Sequence, residues 1–570
     1  MQKTWRVRDK IEFNKINFSG KYNPLVLQLL FNRRIKTENQ IEDFLAFDYE
    51  KNVGDPFLFA DMEKAVNRIV LAKKNKEKIA IFGDYDADGV TATAILTETM
   101  ADLGFEDVII YIPDRKLEGY GLNEEALKYL AEKEIKLVIT VDCGMTSIEE
   151  IEKAGKDGIE VIITDHHYAP KNLPKAIALI NPHVENCGYN FTDLAGVGVA
   201  FKLAQALYQK IAPEKIDQLK WLLDLVAIGT IADCVDLLGE NRVLVKYGLI
   251  VLSKTRRMGL SEMYQVGKIS IDENNLPDAR KVAFQIAPRI NAAGRMDHAN
   301  FAYGLLTEKD KSKARLMALE IEEKNKERQK VTKEVTREVS IIAENSFKDK
   351  KLIFAYSEHW SVGILGLVAG KISDSFNKPT VILQKQEGEF IGSLRSPENV
   401  NIIKALEKCS EFIIRFGGHA QAAGVKIKAD KIDDFYKKLA QVIEEDSKGI
   451  EMVPTVEIDA EISLSEIDWN FVQELKKMEP FGEGNPQPVF LIKKAFLEEV
   501  KMVGNGSKHL KMTVREENGS PKMFDAIAFG FGGKFSELKK GNKVELVFNL
   551  EEDEWNGNKK IQMKVIDMKM

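Results

Sequence analysis

Three aspartates alternate in Asp84-Tyr85-Asp86-Ala87-Asp88, a fourth stands at Asp142, a fifth heads Asp165-His166-His167, and a sixth follows at Asp233. Carboxylates gathered in one dry cleft repel one another, and some must stay protonated unless cations neutralise them. Mixed carboxylate and imidazole ligation suits Mn²⁺ or Mg²⁺ rather than a thiol-loving metal. Two such ions about 3.5–4 Å apart activate a water and stabilise the leaving oxygen of an in-line phosphoryl displacement. The chemistry open to this set is metal-dependent phosphodiester hydrolysis. An EF-hand reading of Asp84-x-Asp86-x-Asp88-Gly89 fails because its twelfth position, which needs a bidentate Glu, is Ile95.

Residues so far apart in sequence need a fold that gathers them. Apolar β-branched runs at Ile79–Phe82, Val108–Ile112, Leu137–Val141 and Val161–Thr164 alternate with helical stretches at Thr91–Leu103, Asn123–Lys133 and Ser147–Ala154. That rhythm predicts βαβ units and a parallel sheet covered on both faces. Asp84, Asp142 and Asp165 each follow a predicted strand, and strand C-termini share one edge of such a sheet, where these folds place ligands. Asp233 ends another apolar stretch, Ile228–Ala232.

The rest of the chain divides by composition. Residues 1–50 carry short helical patterns without evident chemistry, and 51–307 form the catalytic α/β domain. Residues 308–345 are strongly charged, with Val331, Val335 and Val339 at four-residue spacing, which predicts one long helix bridging two domains. A second, smaller α/β domain with Gly-rich turns covers 346–450. Past Met452 and the linker-like Val453-Pro454-Thr455, residues 455–570 read as alternating strands and turns suited to a small OB-like β-barrel.

The 570 residues are 44% hydrophobic and 30% charged, as in ordinary globular proteins. No apolar run approaches the roughly 20 residues of a membrane helix, and the N-terminus lacks a signal-peptide stretch. Cys143, Cys187, Cys234 and Cys409 form no CxxC pair, which excludes a zinc knuckle and suits a reducing cytoplasm. A net charge of −6 does not announce a nucleic-acid binder, although the acidic cluster inflates that sum.

Arg395 with Ser393 offers a guanidinium and a hydroxyl suited to a terminal phosphate, and Arg115 can join them. His419, flanked by glycines that let backbone N–H groups approach, is placed to contact a phosphate. Arg289, Asn291 and Arg295 occupy a small-residue loop suited to tracking a nucleic-acid backbone. Lys508, His509 and Lys511, with Phe529 and Phe531 as stacking platforms, are candidates in the barrel.

The acidic motifs together resemble the DHH phosphoesterase superfamily, and Gly417-Gly418-His419-Ala420 with Ala423-Gly424 resembles its DHHA1 domain. Nearly the whole chain resembles the RecJ family of single-strand-specific exonucleases. The further motifs are Trp5, Glu118-Gly119-Tyr120-Gly121, Arg289-Ile290-Asn291-Ala292-Ala293-Gly294-Arg295, Gly392-Ser393-Leu394-Arg395-Ser396 and Pro480-Phe481-Gly482-Glu483-Gly484-Asn485-Pro486. The resemblance implies two Mn²⁺ or Mg²⁺ ions, one on Asp86 and Asp142, the other on Asp88, Asp142, His166 and Asp233. Asp84 and Asp165 would be ligands or would orient them. His167 would face the scissile phosphate, with Asp165 and His419 completing the catalytic set and Gly418 beside them. Ser393, Arg395 and Arg115 would take a 5′-phosphate. Two positions depart from relatives: Phe82 stands where some carry a metal-binding histidine, and His359-Trp360-Ser361-Val362-Gly363 replaces Trp-His-x-Gly.

The implied activity is 5′→3′ degradation of single-stranded DNA to mononucleotides, in repair and recombination. A cleft between the two α/β domains would admit a single strand but no duplex. The implied setting is a cytoplasmic monomer without membrane contact, partnered by a single-strand-binding protein and a helicase. The competing readings are a phosphodiesterase for nanoRNA or cyclic dinucleotides, a pyrophosphatase, and a non-catalytic replication scaffold.

Overall fold

The computed structural model describes the chain apart from residues 1–2, 14–15, 17, 116, 450–452, 517–521 and 556–557. The change of character read at Met452 therefore lies outside the described residues. Strand β1 (Thr4–Val7) does not join the neighbouring α/β unit; it pairs in parallel with Thr455–Ile458.

The catalytic sheet comprises β2 (Ile79–Gly83), β3 (Val108–Tyr111), β4 (Leu137–Val141), β5 (Glu160–Thr164) and β6 (Ala178–Ile180). All are parallel, in the order β3-β2-β4-β5-β6. The pleat sends Ile79 and Ile81 of β2 into one apolar cluster, with Val90 and Ile95, and Ala80 and Phe82 into another, with Leu122 and Leu127. Both faces are therefore covered, as the unbroken apolar runs require. Chain direction across the sheet reverses between β2 and β4, and the crevice at such a switch point is where the acidic motifs emerge.

Two local elements differ from the sequence reading. The first helix spans Ala87–Asp102 and so begins four residues before the expected Thr91. Asp86 caps it, its carboxylate accepting the amides of Asp88 and Gly89, and this draws the acidic motif into the first turn. Asp233 caps the C-terminus of the buried helix Leu223–Ala232 instead of ending a strand.

The bridging helix is Lys311–Ser346, 36 residues or about 54 Å long. Its buried stripe runs from Ala314, Ala318 and Ile321 on the catalytic side to Val335, Val339 and Ala343 on the other. There it meets the helix Val362–Phe376 and a mixed sheet of β7 (Ile353–Ser357), β8 (Thr380–Gln386), β9 (Glu389–Arg395), β10 (Ile413–Gly418) and β11 (Ala422–Lys428), in the order β10-β11-β9-β8-β7.

The C-terminal unit follows with β12 (Thr455–Ile458), β13 (Ala460–Glu461), β14 (Phe490–Val503), β15 (His509–Glu516), β16 (Met523–Ala528), β17 (Lys543–Trp555) and β18 (Asn558–Lys569). Pairings run β14-β15-β16-β18-β17, and β17 also pairs back with β14. Its core is completed from the far end of the chain: Val26, Leu27, Leu29, Leu30, Ile41 and Phe44 pack with Phe471, Phe490, Leu546 and Phe548. The described residues from Trp5 to Phe44 are thus part of this unit, tied also by Trp5 Nε1 donating to Asp567 Oδ2 at 2.8 Å, whereas Tyr49 packs on the catalytic core.

The same unit grips the catalytic domain. Buried Arg242 donates to the carbonyls of Met478 (2.7 Å) and Lys477 (2.8 Å) at a helix C-terminus and lies over the Phe44 ring. The Leu237 amide donates to the Glu483 carbonyl at 2.8 Å. Among the described residues no helix is long and apolar enough to cross a membrane, and all four cysteines are free.

Candidate metal centre

His166 sits where three of the acidic motifs converge. Its Nε2 is 3.1 Å from Asp142 Oδ1, 3.6 Å from Asp233 Oδ2 and 3.9 Å from Asp88 Oδ2. Asp84, Asp86 and Asp142 form an adjoining group whose ligand atoms lie within 4.8 Å of one another, so Asp142 belongs to both. Asp84 Oδ1, Asp142 Oδ1 and His166 Nε2 are buried without a hydrogen-bond partner. Polar atoms buried this way are costly unless something satisfies them. Nε2 and Oδ1 approach each other without hydrogen-bond geometry, as two lone pairs aimed into one gap. This donor set fits divalent cations.

Without such charge the carboxylates cannot all ionise. Burial, then the charge of neighbouring aspartates, pushes Asp84, Asp142 and Asp233 well above the usual range and Asp88 to about 7. Burial, reinforced by His167, drives His166 down to about 3, which leaves it neutral and able to ligate.

The backbone holds each ligand. Asp142 follows β4 in the left-handed conformation, φ 60°, which turns its carboxylate off the sheet edge. Asp88 accepts the amides of Gly196 (2.7 Å) and Val197 (2.9 Å) at the start of the helix Gly196–Ile211. A Cβ on Gly196 would fall 2.6 Å from Asp142 Cβ, and one on Gly229 would fall 2.7 Å from Asp88 Oδ1. Neither glycine is recognisable from sequence, because the contact exists only once the helices pack.

Asp165 faces away from the ligand gap. It accepts the amides of Met145 (3.0 Å) and His166 (2.7 Å) and a 2.8 Å bond from His167 Nδ1. Burial alone would raise it, but the His167 bond and both imidazoles hold it below the ordinary carboxylate range. For His167 the same bond outweighs burial, and its affinity for a proton is raised. Tyr120 donates to the Asp142 carbonyl and stands 3.1 Å from His167 Nδ1. Its motif was visible in the sequence, but not its place. Phe82 is a buried sheet residue stacked on Tyr111, so no ligand stands there.

Opposite the carboxylates is a basic wall. Arg395 Nη1 donates to Ser393 Oγ at 2.8 Å, and Gly366 opposite leaves room for both side chains, since a Cβ there would fall 3.0 Å from Arg395 Nη2. Arg115 lies 4.8 Å from the Tyr85 ring centroid. Arg295 donates to the Gly363 carbonyl at 3.1 Å. Burial, then repulsion from Arg115, lowers Arg395, and the same two causes lower Arg295 to about 9. None of these three guanidiniums has an ion-pair partner among the described residues, so they accumulate positive charge beside the acidic gap.

Other candidates are placed elsewhere or engaged otherwise. Arg289 is a structural tie: its Nε donates to Glu322 Oε2 (2.8 Å) on the bridging helix and its Nη1 to the Gln285 carbonyl (2.5 Å). Asn291 uses its Oδ1 to accept the Ala87 amide at 2.8 Å, bracing the start of the helix beside Asp86. The segment that carries both residues is the helix Ala287–Met296 and not a loop. His419 is exposed in the turn between β10 and β11. Its own amide is spent on the Ala422 carbonyl (2.7 Å), so the imidazole is what it offers. Gly418, at φ 140°, is required because a Cβ would fall 2.7 Å from Ala423 Cα.

In the C-terminal unit Phe529 is half exposed beside His509, whereas Phe531 packs on the core, Lys511 lies 3.7 Å from Asp525, and Lys508 is exposed. His359 is exposed, and its neighbour Trp360 is buried with its Nε1 bonded to Glu338.

Three family models match: the DHH family N-terminal domain over residues 78–230, the DHHA1 domain over 349–445 and the RecJ OB domain over 458–567. The chain is 38% identical to the single-stranded-DNA-specific exonuclease RecJ of Bacillus subtilis over 546 residues, covering 95% of this chain and 68% of the relative. It is 33% identical to the protein of that name from Haemophilus influenzae, covering 95% and 96%. The crystal structure of Thermus thermophilus RecJ in complex with Mn²⁺ matches with a TM-score of 0.82 at 27% identity, over 100% of this chain and 79% of that one. The Mg²⁺ complex of that protein matches with a TM-score of 0.75 at 26% identity, over 100% and 78%.

Proposed function

The chain belongs to the RecJ family of single-stranded-DNA-specific exonucleases, and on that premise we propose that it hydrolyses single-stranded DNA stepwise from a 5′ end, releasing mononucleotides. One observation carries the reading: orphaned, buried ligand atoms share a cleft with three guanidiniums that have no carboxylate ion-pair partner among the described residues. That is a site for metal ions together with a phosphate.

Asp86 and Asp142, with Asp84, would hold one ion, and Asp88, Asp142, His166 and Asp233 the other. Bound Mn²⁺ or Mg²⁺ supplies Lewis-acid activation of water and neutralises charge on the leaving oxygen. Asp165 fixes His167 through Nδ1, leaving Nε2 to meet the scissile phosphate. Ser393, Arg395 and Arg115 receive the terminal 5′-phosphate, Arg295 adds charge behind them, and His419 meets a phosphate from the opposite domain. Phe529 and Lys508 of the C-terminal unit extend the single-strand path. The enzyme works as a cytoplasmic monomer beside a single-strand-binding protein and a helicase. The four free cysteines suit that compartment.

The test is end-labelled single-stranded DNA, with and without a 5′-phosphate, incubated with Mn²⁺ or Mg²⁺. Labelled mononucleotide should appear first, faster from the phosphorylated strand, with blunt duplex resistant. Cleavage of dinucleotides alone, or equal attack on duplex, overturns the reading.

A further inference from the structure

Tyr168 follows the His166-His167 pair directly, yet it is 73% exposed. Its ring lies over His183 with centroids 4.6 Å apart and planes 33° from parallel. Exposure alone does not single it out, since Leu117 and Phe284 are at least as open; its rigid mount beside the metal centre does. The mount is rigid because Asn181, fully buried, donates to the His167 carbonyl at 2.9 Å and accepts the His183 amide at 2.7 Å. One side chain thereby locks together the two loops that carry the ring pair.

The strand order says where the pair stands. Across β3-β2-β4-β5-β6, Arg115 follows β3, Asp84 and Asp86 follow β2, Asp142 follows β4, His166 and Tyr168 follow β5, and His183 follows β6. The positive charge for a 5′-phosphate is thus at one end of the row, the metal ligands occupy the middle, and the aromatic pair closes the other end. Neighbouring strands are about 4.8 Å apart, so the pair is one to two strand spacings from Asp142, about the reach of a single nucleotide.

We propose that Tyr168, backed by His183, is the stacking platform for the nucleobase immediately 3′ of the scissile bond, the base that becomes the new 5′ end after each cut. Stacking is indifferent to base identity, so such a platform registers the strand without imposing a sequence. This rests on the exonuclease reading, and the experiment separates the two.

The full chain is assayed with Mn²⁺ on 5′-phosphorylated single strands that carry either a normal second nucleotide or an abasic one. Release of the first nucleotide from the intact strand by the wild type tests the exonuclease reading by itself. Tyr168→Ala should raise KM on the intact strand about tenfold, and the abasic residue should raise the wild-type KM by a similar factor. The two changes together should cost no more than either alone, and Tyr168→Phe should restore the wild-type KM. If the two penalties multiply, or if Tyr168→Ala leaves KM where it was, the platform is overturned while the exonuclease stands. A Mn²⁺-induced thermal shift unchanged in Tyr168→Ala shows that the variant is folded and its centre intact.

Discussion

Gly196 and Gly229 are glycines because Asp142 and Asp88 occupy the space their side chains would need. Gly196→Ala should therefore displace Asp142 and lower Mn²⁺ affinity roughly 10–100-fold, as loss of a ligand's support does, measured by titration calorimetry. The ligands themselves set a pH dependence. The Asp88 carboxyl is near 7 when folded against an ordinary 3.8, and Asp84, Asp142 and Asp233 are raised too. The folded state then keeps protons that the unfolded chain has released, so stability without metal falls as pH rises from about 4 through 7. Melting of chelator-treated protein should drop between pH 5 and pH 8, and added Mn²⁺ should raise it more at pH 8. At this scale residue types were legible, since aspartate and histidine announce ligation. The small residues that make room for them were not, because a missing side chain carries no chemical signature.

Strand ends and helix starts convert those residues into a site. β2, β4 and β5 deliver Asp84, Asp142 and Asp165 to one edge, and that was readable from three apolar runs each ending in aspartate. The helix starts at Ala87, four residues before its apolar run, because its cap, Asp86, is itself one of the candidate ligands. The Arg289 tie was not legible for a related reason. Its partner Glu322 lies 33 positions away on another helix, and no local pattern pairs them. Arg289→Ala should leave the mostly buried Glu322 with Lys326, 3.6 Å away, as its remaining partner and destabilise the protein by about 2 kcal/mol in urea unfolding. The protein that remains folded should bind Mn²⁺ as the wild type does. Equal loss of stability and of metal affinity would show that the tie reaches the site.

Across the whole molecule, the C-terminal unit reaches back to the metal centre. Four residues after the candidate ligand Asp233, the Leu237 amide bonds to the Glu483 carbonyl, and a Cβ on Gly484 (φ 67°) would fall 2.6 Å from Asp236 Cγ. Gly484→Val should push this segment away and weaken Mn²⁺ binding roughly tenfold, while capture of single-stranded DNA in chelator stays unchanged. Loss of DNA capture with metal binding intact would make the unit a binding module alone. The order of the units was legible from composition, but the membership of the described residues from Trp5 to Phe44 was not, since their apolar faces resemble those of any small helix. Their placement in the last core has a consequence for synthesis. Trp5 and its partner Asp567 are 562 positions apart, so at roughly 5–20 residues per second the ribosome needs about half a minute to two minutes to make both. For that interval Leu27, Leu29 and Leu30 have no core to enter. The nascent chain therefore carries these apolar side chains uncovered until the last strands are made.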